Sequence, residues 1–191
     1  MVATHVLFLI IVALWFAERM AEVVITRRRI ARLVARGGHV HAAGATGTAL
    51  AVIHLTWFVA IVYEVFAYDR PFVPVIAIPC LLLSVAGMFL RYLSYRALGD
   101  RWVIQVVTVP GEPLVKRGIY RYLRHPSYLG VVLEMPAVPL IHGALVSATV
   151  YGVLNLIWIM SKIRLEDRVL AESQIPLPAD ERVPMEASSQ V

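Results

Sequence analysis

Cysteine is nearly absent from this chain: Cys80 is the only one in 191 residues. A single thiol excludes an intrachain disulfide framework and any multi-cysteine metal site. Charge is scarce as well, at 16% of residues, against roughly 25% in an ordinary soluble domain. No Gly-x-Gly-x-x-Gly run occurs, so the usual dinucleotide fingerprint is missing. Internal repeats are also lacking. What fills the sequence instead is apolar: 59% of residues are hydrophobic, and mean hydropathy is +0.72. Disorder, a collagen-like chain and a polar-shelled globule are excluded by that composition. Net charge is +5, but the arginines flank apolar runs. That placement points to anionic lipid headgroups and membrane orientation, not to nucleic acid. The length allows a single membrane domain, residues 1–170, and leaves no room for a second soluble one.

A helix needs about 20 mostly apolar residues to cross the hydrocarbon layer. The sequence offers about five such segments: Val2 to Ile25, Thr46 to Ala67, Phe72 to Tyr95, Pro126 to Ile141 and Leu145 to Ile163. The first lacks a basic n-region and a small-residue cleavage site, so it is expected to be a span and not a cleaved signal. Only His142-Gly143 separates the last two, which predicts a helical hairpin. An all-α integral membrane protein follows, with the N-terminus outside and the C-terminus in the cytosol. In that orientation Arg27, Arg28, Arg29, Arg32, Arg36, the cations from Arg91 to Arg124, and Lys162, Arg164 and Arg168 all face inward. Among the outer loops only Arg70 is basic, which is a positive-inside pattern. The basic segment Thr26 to His41 is expected to lie on the inner surface as a short amphipathic helix. Leu98 to Arg124 is the longest stretch between spans, is rich in Gly and Pro, and reads as a loop of functional length. Residues 171–191 carry three prolines and read as a poorly ordered cytosolic tail.

Ionisable residues inside spans are functional candidates by default. Glu18, Arg19 and Glu22 fall in the inner third of the first span, His54 in the second, Glu134 in the fourth, and Lys162 and Glu166 at the end of the fifth. These converge on the cytosolic leaflet, and Glu64 alone lies towards the outer face. A transporter would more naturally place such groups at the midplane. Plainer roles stand beside each. Arg19 with Glu22, and Lys162 with Glu166, are spaced for pairing on one helix face. His54 suits a hydrogen-bonded packing residue, and Glu134 a shielded partner of Arg19 or His54.

The most informative run is Gly118 to Gly130, Gly-Ile-Tyr-Arg-Tyr-Leu-Arg-His-Pro-Ser-Tyr-Leu-Gly. Pro126 suits the first turn of a helix, where its missing N–H costs nothing. The N–H groups that follow make a positive helix end at the membrane surface. Arg124 and His125 add donors beside it, which suits the anionic part of a cofactor. Tyr120, Tyr122 and Tyr128 offer flat contact with a hydroxyl, as an adenine pocket needs. Gly118 and Gly130 permit close backbone approach.

This run resembles the isoprenylcysteine carboxyl methyltransferase family of membrane methyltransferases. The family's Arg-His-Pro-x-Tyr-x-Gly stands here as Arg124 to Gly130. Its acidic pair at the end of the last span, preceded by a basic residue, matches Glu166-Asp167 and Lys162. The resemblance is strong from Leu98 to Leu170 and includes Leu98-Gly99 with Trp102. The N-terminal half, with Glu18-Arg19-x-x-Glu22, the arginine run, Gly37-Gly38, His54 and Glu64, is similar to a bacterial branch linked to type III polyketide synthases. That branch methylates alkylpyrone or alkylresorcinol hydroxyls. Two departures stand out. Lys162 replaces the usual arginine and lacks its planar fork for a carboxylate, and residues 171–191 contain neither tyrosine nor glycine, so the family's C-terminal lid is shortened or different.

The resemblance implies methyl transfer from S-adenosyl-L-methionine to an oxygen of a lipophilic acceptor entering from the inner leaflet of a bacterial cytoplasmic membrane. Tyr120, Arg124, His125, Tyr128, Leu129, Gly130 and Glu166 are the expected cofactor contacts, with no metal. Glu134 and Glu166 are the candidate bases for an acceptor hydroxyl, with His54 behind them and Lys162 beside Glu166. A prenylated cysteine carboxylate or a phospholipid amine is the alternative acceptor. A transporter or partner subunit is the non-enzymatic reading, and a nicotinamide-dependent reductase ranks below it. The oligomeric state is left open.

Overall fold

In the computed structural model, residues 2–41 and 45–173 are described. The expected tail from 174 onward lies outside them. Five α-helices make up most of the chain: α1 (Val2–Ala35), α2 (Ala45–Ala67), α3 (Pro74–Leu98), α4 (Pro126–Leu140) and α5 (Leu145–Ser173). Among the described residues, three segments are long and apolar enough to cross a membrane: Thr48–Ala67, Pro74–Arg101 and Leu145–Glu172. The expected set of five is thus met in part. α4 has only 15 residues, which at ~1.5 Å per residue falls short of a full crossing. It begins at Pro126 and holds Pro136 and Pro139 inside, each removing a backbone donor. The apolar run of α1 ends at Glu18.

The separate amphipathic helix expected over Thr26 to His41 does not form. α1 runs straight on to Ala35, because one buried face continues through it: Phe8, Val12, Trp15, Arg19, Thr26, Arg29 and Leu33 recur at helical spacing. Gly37, at φ +80°, ends the helix with its N–H on the Val34 carbonyl. The chain then enters a short strand, β1 (His39–His41), which pairs antiparallel with β2 (Val106–Thr108). The stretch read as a loop between α3 and α4 therefore carries β2 and a 3-10 turn over Gly118–Arg121.

α3 and α4 form the closest helix pair. Ser84, Gly87, Arg91 and Ser94 are buried on one stripe of α3, and small residues let backbones approach. A Cβ added at Gly87 would stand 2.6 Å from the Gly130 carbonyl oxygen, and one at Gly130 would stand 2.5 Å from that of Gly87. No side chain fits between them. The main core lies elsewhere, around Phe8, Trp15, Trp57, Phe58, Ile61, Val65, Met135 and Val138. Trp57 anchors it by donating to the Met135 carbonyl at 3.2 Å.

The helix ends sort into two groups. At one end His5 of α1 lies 3.7 Å from Asp69 and 4.6 Å, ring to ring, from His142 after α4. Glu64, near the end of α2, accepts from the Val146 and Ser147 amides at 3.1 and 2.7 Å and from Arg70 at 2.8 Å. A carboxylate from α2 thus caps the positive start of α5. The opposite end gathers the ends of α1, α3 and α5, the start of α4 and the two strands, and the cavity opens there.

Candidate functional site

A cavity of about 850 Å³ lies at that second end. Leu33 of α1, Leu98 of α3, Val107 and Thr108 of β2, the loop through Glu112 and Lys116, His125 at the start of α4, and Glu166, Asp167 and Leu170 of α5 all line it. Every element that reaches it is fixed by polar ties at its end. Arg29 donates to the Trp102 carbonyl at 3.2 Å and stacks over Tyr95 at 4.3 Å. Arg36 and Arg101 both pair with Glu112. Arg117 donates to the Ala97 carbonyl at 3.1 Å.

Four of the residues expected to hold a cofactor line this cavity: Tyr120, Arg124, His125 and Glu166. His125 stands at the N-cap position of α4 without a side-chain capping bond and stacks on Tyr128, with 5.5 Å between ring centroids. Its Nδ1 is 3.9 Å from Glu166 and its Nε2 is 3.3 Å from Asp167. Arg124, largely exposed, reaches Asp167 at 3.4 Å. Burial pushes the Tyr120 phenol up to about 12, partly offset by a hydrogen bond with Ser94. Tyr120 is therefore a neutral donor at any ordinary pH.

The other candidates sit around or away from the cavity. Tyr128 lies behind it and donates to Glu166 at 2.5 Å. Lys162 is buried, donates to the Ile104 carbonyl, and stands about 5 Å over the Tyr128 and Trp158 rings. Leu129 is exposed, and Gly130 serves the crossing with α3. His54 bonds the Leu50 carbonyl at 3.0 Å. Glu134 is fully buried and bonded by Arg19 and by Arg91, the latter at 3.0 and 3.2 Å. Arg91 also pairs with Glu22 and with Glu18, and Arg19 with Glu22 at 3.0 Å. The polar residues of α1, α3 and α4 thus close on one another inside the bundle. Lys116, Arg121 and Glu112 line the cavity without having been singled out as site residues. Lys116 lies two residues before the Gly118–Gly130 run and Arg121 lies inside it.

The cavity residues fit a cofactor that carries both signs of charge and a flat ring. His125 Nε2 is buried and, although 3.3 Å from Asp167, makes no hydrogen bond, a deficit that a bound ligand would relieve. Residues 80–172 match the isoprenylcysteine carboxyl methyltransferase family. The match covers α3 from Cys80, the cavity loop, α4 and nearly all of α5. Members of that family are methyltransferases that use S-adenosylmethionine. The chain is also 28% identical over 170 residues to the uncharacterized protein YpbQ of Bacillus subtilis (strain 168), an alignment covering 88% of this chain and 99% of that protein. No solved structure matches the chain.

Proposed function

We propose that this protein is a membrane methyltransferase that binds S-adenosyl-L-methionine in the cavity between α4, α5 and the 106–121 loop. The observation that carries this reading is the meeting of the Arg124–His125 pair with Glu166–Asp167 on a cavity large enough for such a ligand. Tyr120, Arg124, His125 and Glu166 hold the cofactor, and Tyr128 steadies Glu166 from behind. The cofactor supplies an activated methyl group on a sulfonium centre. The task left to the protein is mainly to hold two reactants in line.

Glu166 is the base for an acceptor hydroxyl, since it lines the cavity while Glu134 is sealed. Tyr128 fixes its position, and Lys162 packs over the Tyr128 ring. The acceptor is lipophilic and enters from the inner leaflet of a bacterial cytoplasmic membrane, with the cavity facing the cytosol. A long-chain alkylpyrone or alkylresorcinol hydroxyl is the preferred acceptor. Lys162 supports it, because its ammonium is turned to the Ile104 carbonyl and the aromatic rings and offers no fork to a carboxylate. The family match favours a second reading, esterification of a prenylated cysteine carboxylate.

Purified protein in micelles, given labelled S-adenosylmethionine and each acceptor type, separates the two. Methyl ether formation on the alkylpyrone, lost in Glu166→Gln, is the expected result. Methyl ester on a farnesyl-cysteine analogue, with none on the alkylpyrone, selects the second reading. Absence of cofactor binding by calorimetry rejects both.

A further inference from the structure

Four cationic side chains line the cavity: Arg101, Lys116, Arg121 and Arg124. Two of them are engaged within the protein. Arg101 is held by Glu112 at 2.6 Å and donates to the Pro113 carbonyl at 2.6 Å. Arg124 reaches Asp167 at 3.4 Å, and the same carboxylate stands 3.3 Å from His125. The positive groups that the motif places at the start of α4 therefore already face an acid. Among the described residues, Lys116 and Arg121 have neither an ion pair nor a hydrogen bond from their side chains.

Local structure explains why these two share a wall. Lys116 stands just before the Gly118–Arg121 turn and Arg121 ends it. Gly118 takes φ +59°, and a Cβ there would stand 3.2 Å from that of Ala97. The turn is seated on the end of α3, and Arg117 fastens it to the Ala97 carbonyl. Tyr120 lies between the two cations in sequence and lines the same cavity. One wall thus carries two free cations and a phenol, while α5 supplies Glu166 and Asp167.

We infer that Lys116 and Arg121 bind the carboxylate at the methionine end of the cofactor, on the wall of the cavity opposite in charge to the Glu166–Asp167 side. This rests on the reading of the cavity as a cofactor site. A zwitterionic ligand end needs both signs on one cavity, and among the described residues the only cations lining it without an internal partner are Lys116 and Arg121. Charge-assisted contacts of this kind strengthen as the cavity excludes water.

Calorimetry with the full chain in micelles tests the assignment, using S-adenosylmethionine and its decarboxylated analogue as probes. The analogue keeps the sulfonium, the ammonium and the adenosine and lacks only the carboxylate. The double variant Lys116→Ala/Arg121→Ala is expected to weaken S-adenosylmethionine by about ten- to hundredfold and the analogue by less than about twofold. The charge-preserving pair Lys116→Arg/Arg121→Lys is expected to retain most of the affinity. Equal weakening of both probes, or of neither, overturns the inference while the cofactor reading stands. Failure of the unaltered protein to bind either probe overturns the cofactor reading, and this inference with it.

Discussion

Glu134 and Glu166 show how differently one fold can treat two acids. Both are carboxylates on α-helices, and both suit a general base on paper. Glu134 sits at the α3–α4 crossing, fully buried, with its oxygens held by Arg19 and Arg91. Glu166 sits where α5 leaves the bundle, bonded by Tyr128 on one side and facing the cavity on the other. The difference lies in neighbours and in burial. The first acid meets arginines from two other helices and is consumed by packing. The second meets a phenol and a histidine, which orient it and leave it accessible. An ionisable residue in a span is thus informative only once its partners are known.

The sharpest test of that contrast is Glu134→Ala. It leaves two buried guanidinium groups short of a partner, and a loss of about 3–5 kcal/mol is expected in micelle-based unfolding. Glu134→Gln should also lower the melt. Intact stability with abolished turnover would instead mark Glu134 as chemical and erase the distinction. Next comes Gly130→Ala, where the new methyl would press on the Gly87 carbonyl. A cost of about 1–3 kcal/mol is expected, with cofactor affinity per folded molecule unchanged, because this motif residue serves helix packing. His125→Ala should move the other way: cofactor affinity falls by about tenfold, and the melt shifts far less than for Glu134→Ala. The smallest effect concerns Tyr120. Its raised pKa means the folded protein keeps the proton where the unfolded chain, near about 10, has lost it. The resulting stabilisation is complete below about pH 10 and is lost as pH climbs through about 12. Thermal melts across that range should flatten in Tyr120→Phe.

Much of this arrangement was legible in the residues. Apolar runs located the helices, and Arg124 to Gly130 pointed to the start of α4, beside which the cavity opens. The identity of Glu134's partners was less accessible. Arg19 was among the candidates, but Arg91 counted only as a topology charge, since pairing across helices depends on a crossing set by Gly87 and Gly130. β1 and β2 leave no mark in the sequence because three residues each give no usable alternation. The length of α1 is hidden because an arginine run reads as a surface segment, whereas Arg29 is buried against Tyr95 and Trp102. Lys116 and Arg121 were visible as charges, and only the seating of their turn on α3 reveals where they point.

The β1–β2 ribbon has a bearing on biosynthesis. His39 to His41 leave the ribosome long before Val106 to Thr108, with α2 and α3 made in between. The ribbon beside the cavity therefore cannot form until α3 has been made. A chain stalled earlier would expose an unpaired edge, a template for pairing with other chains.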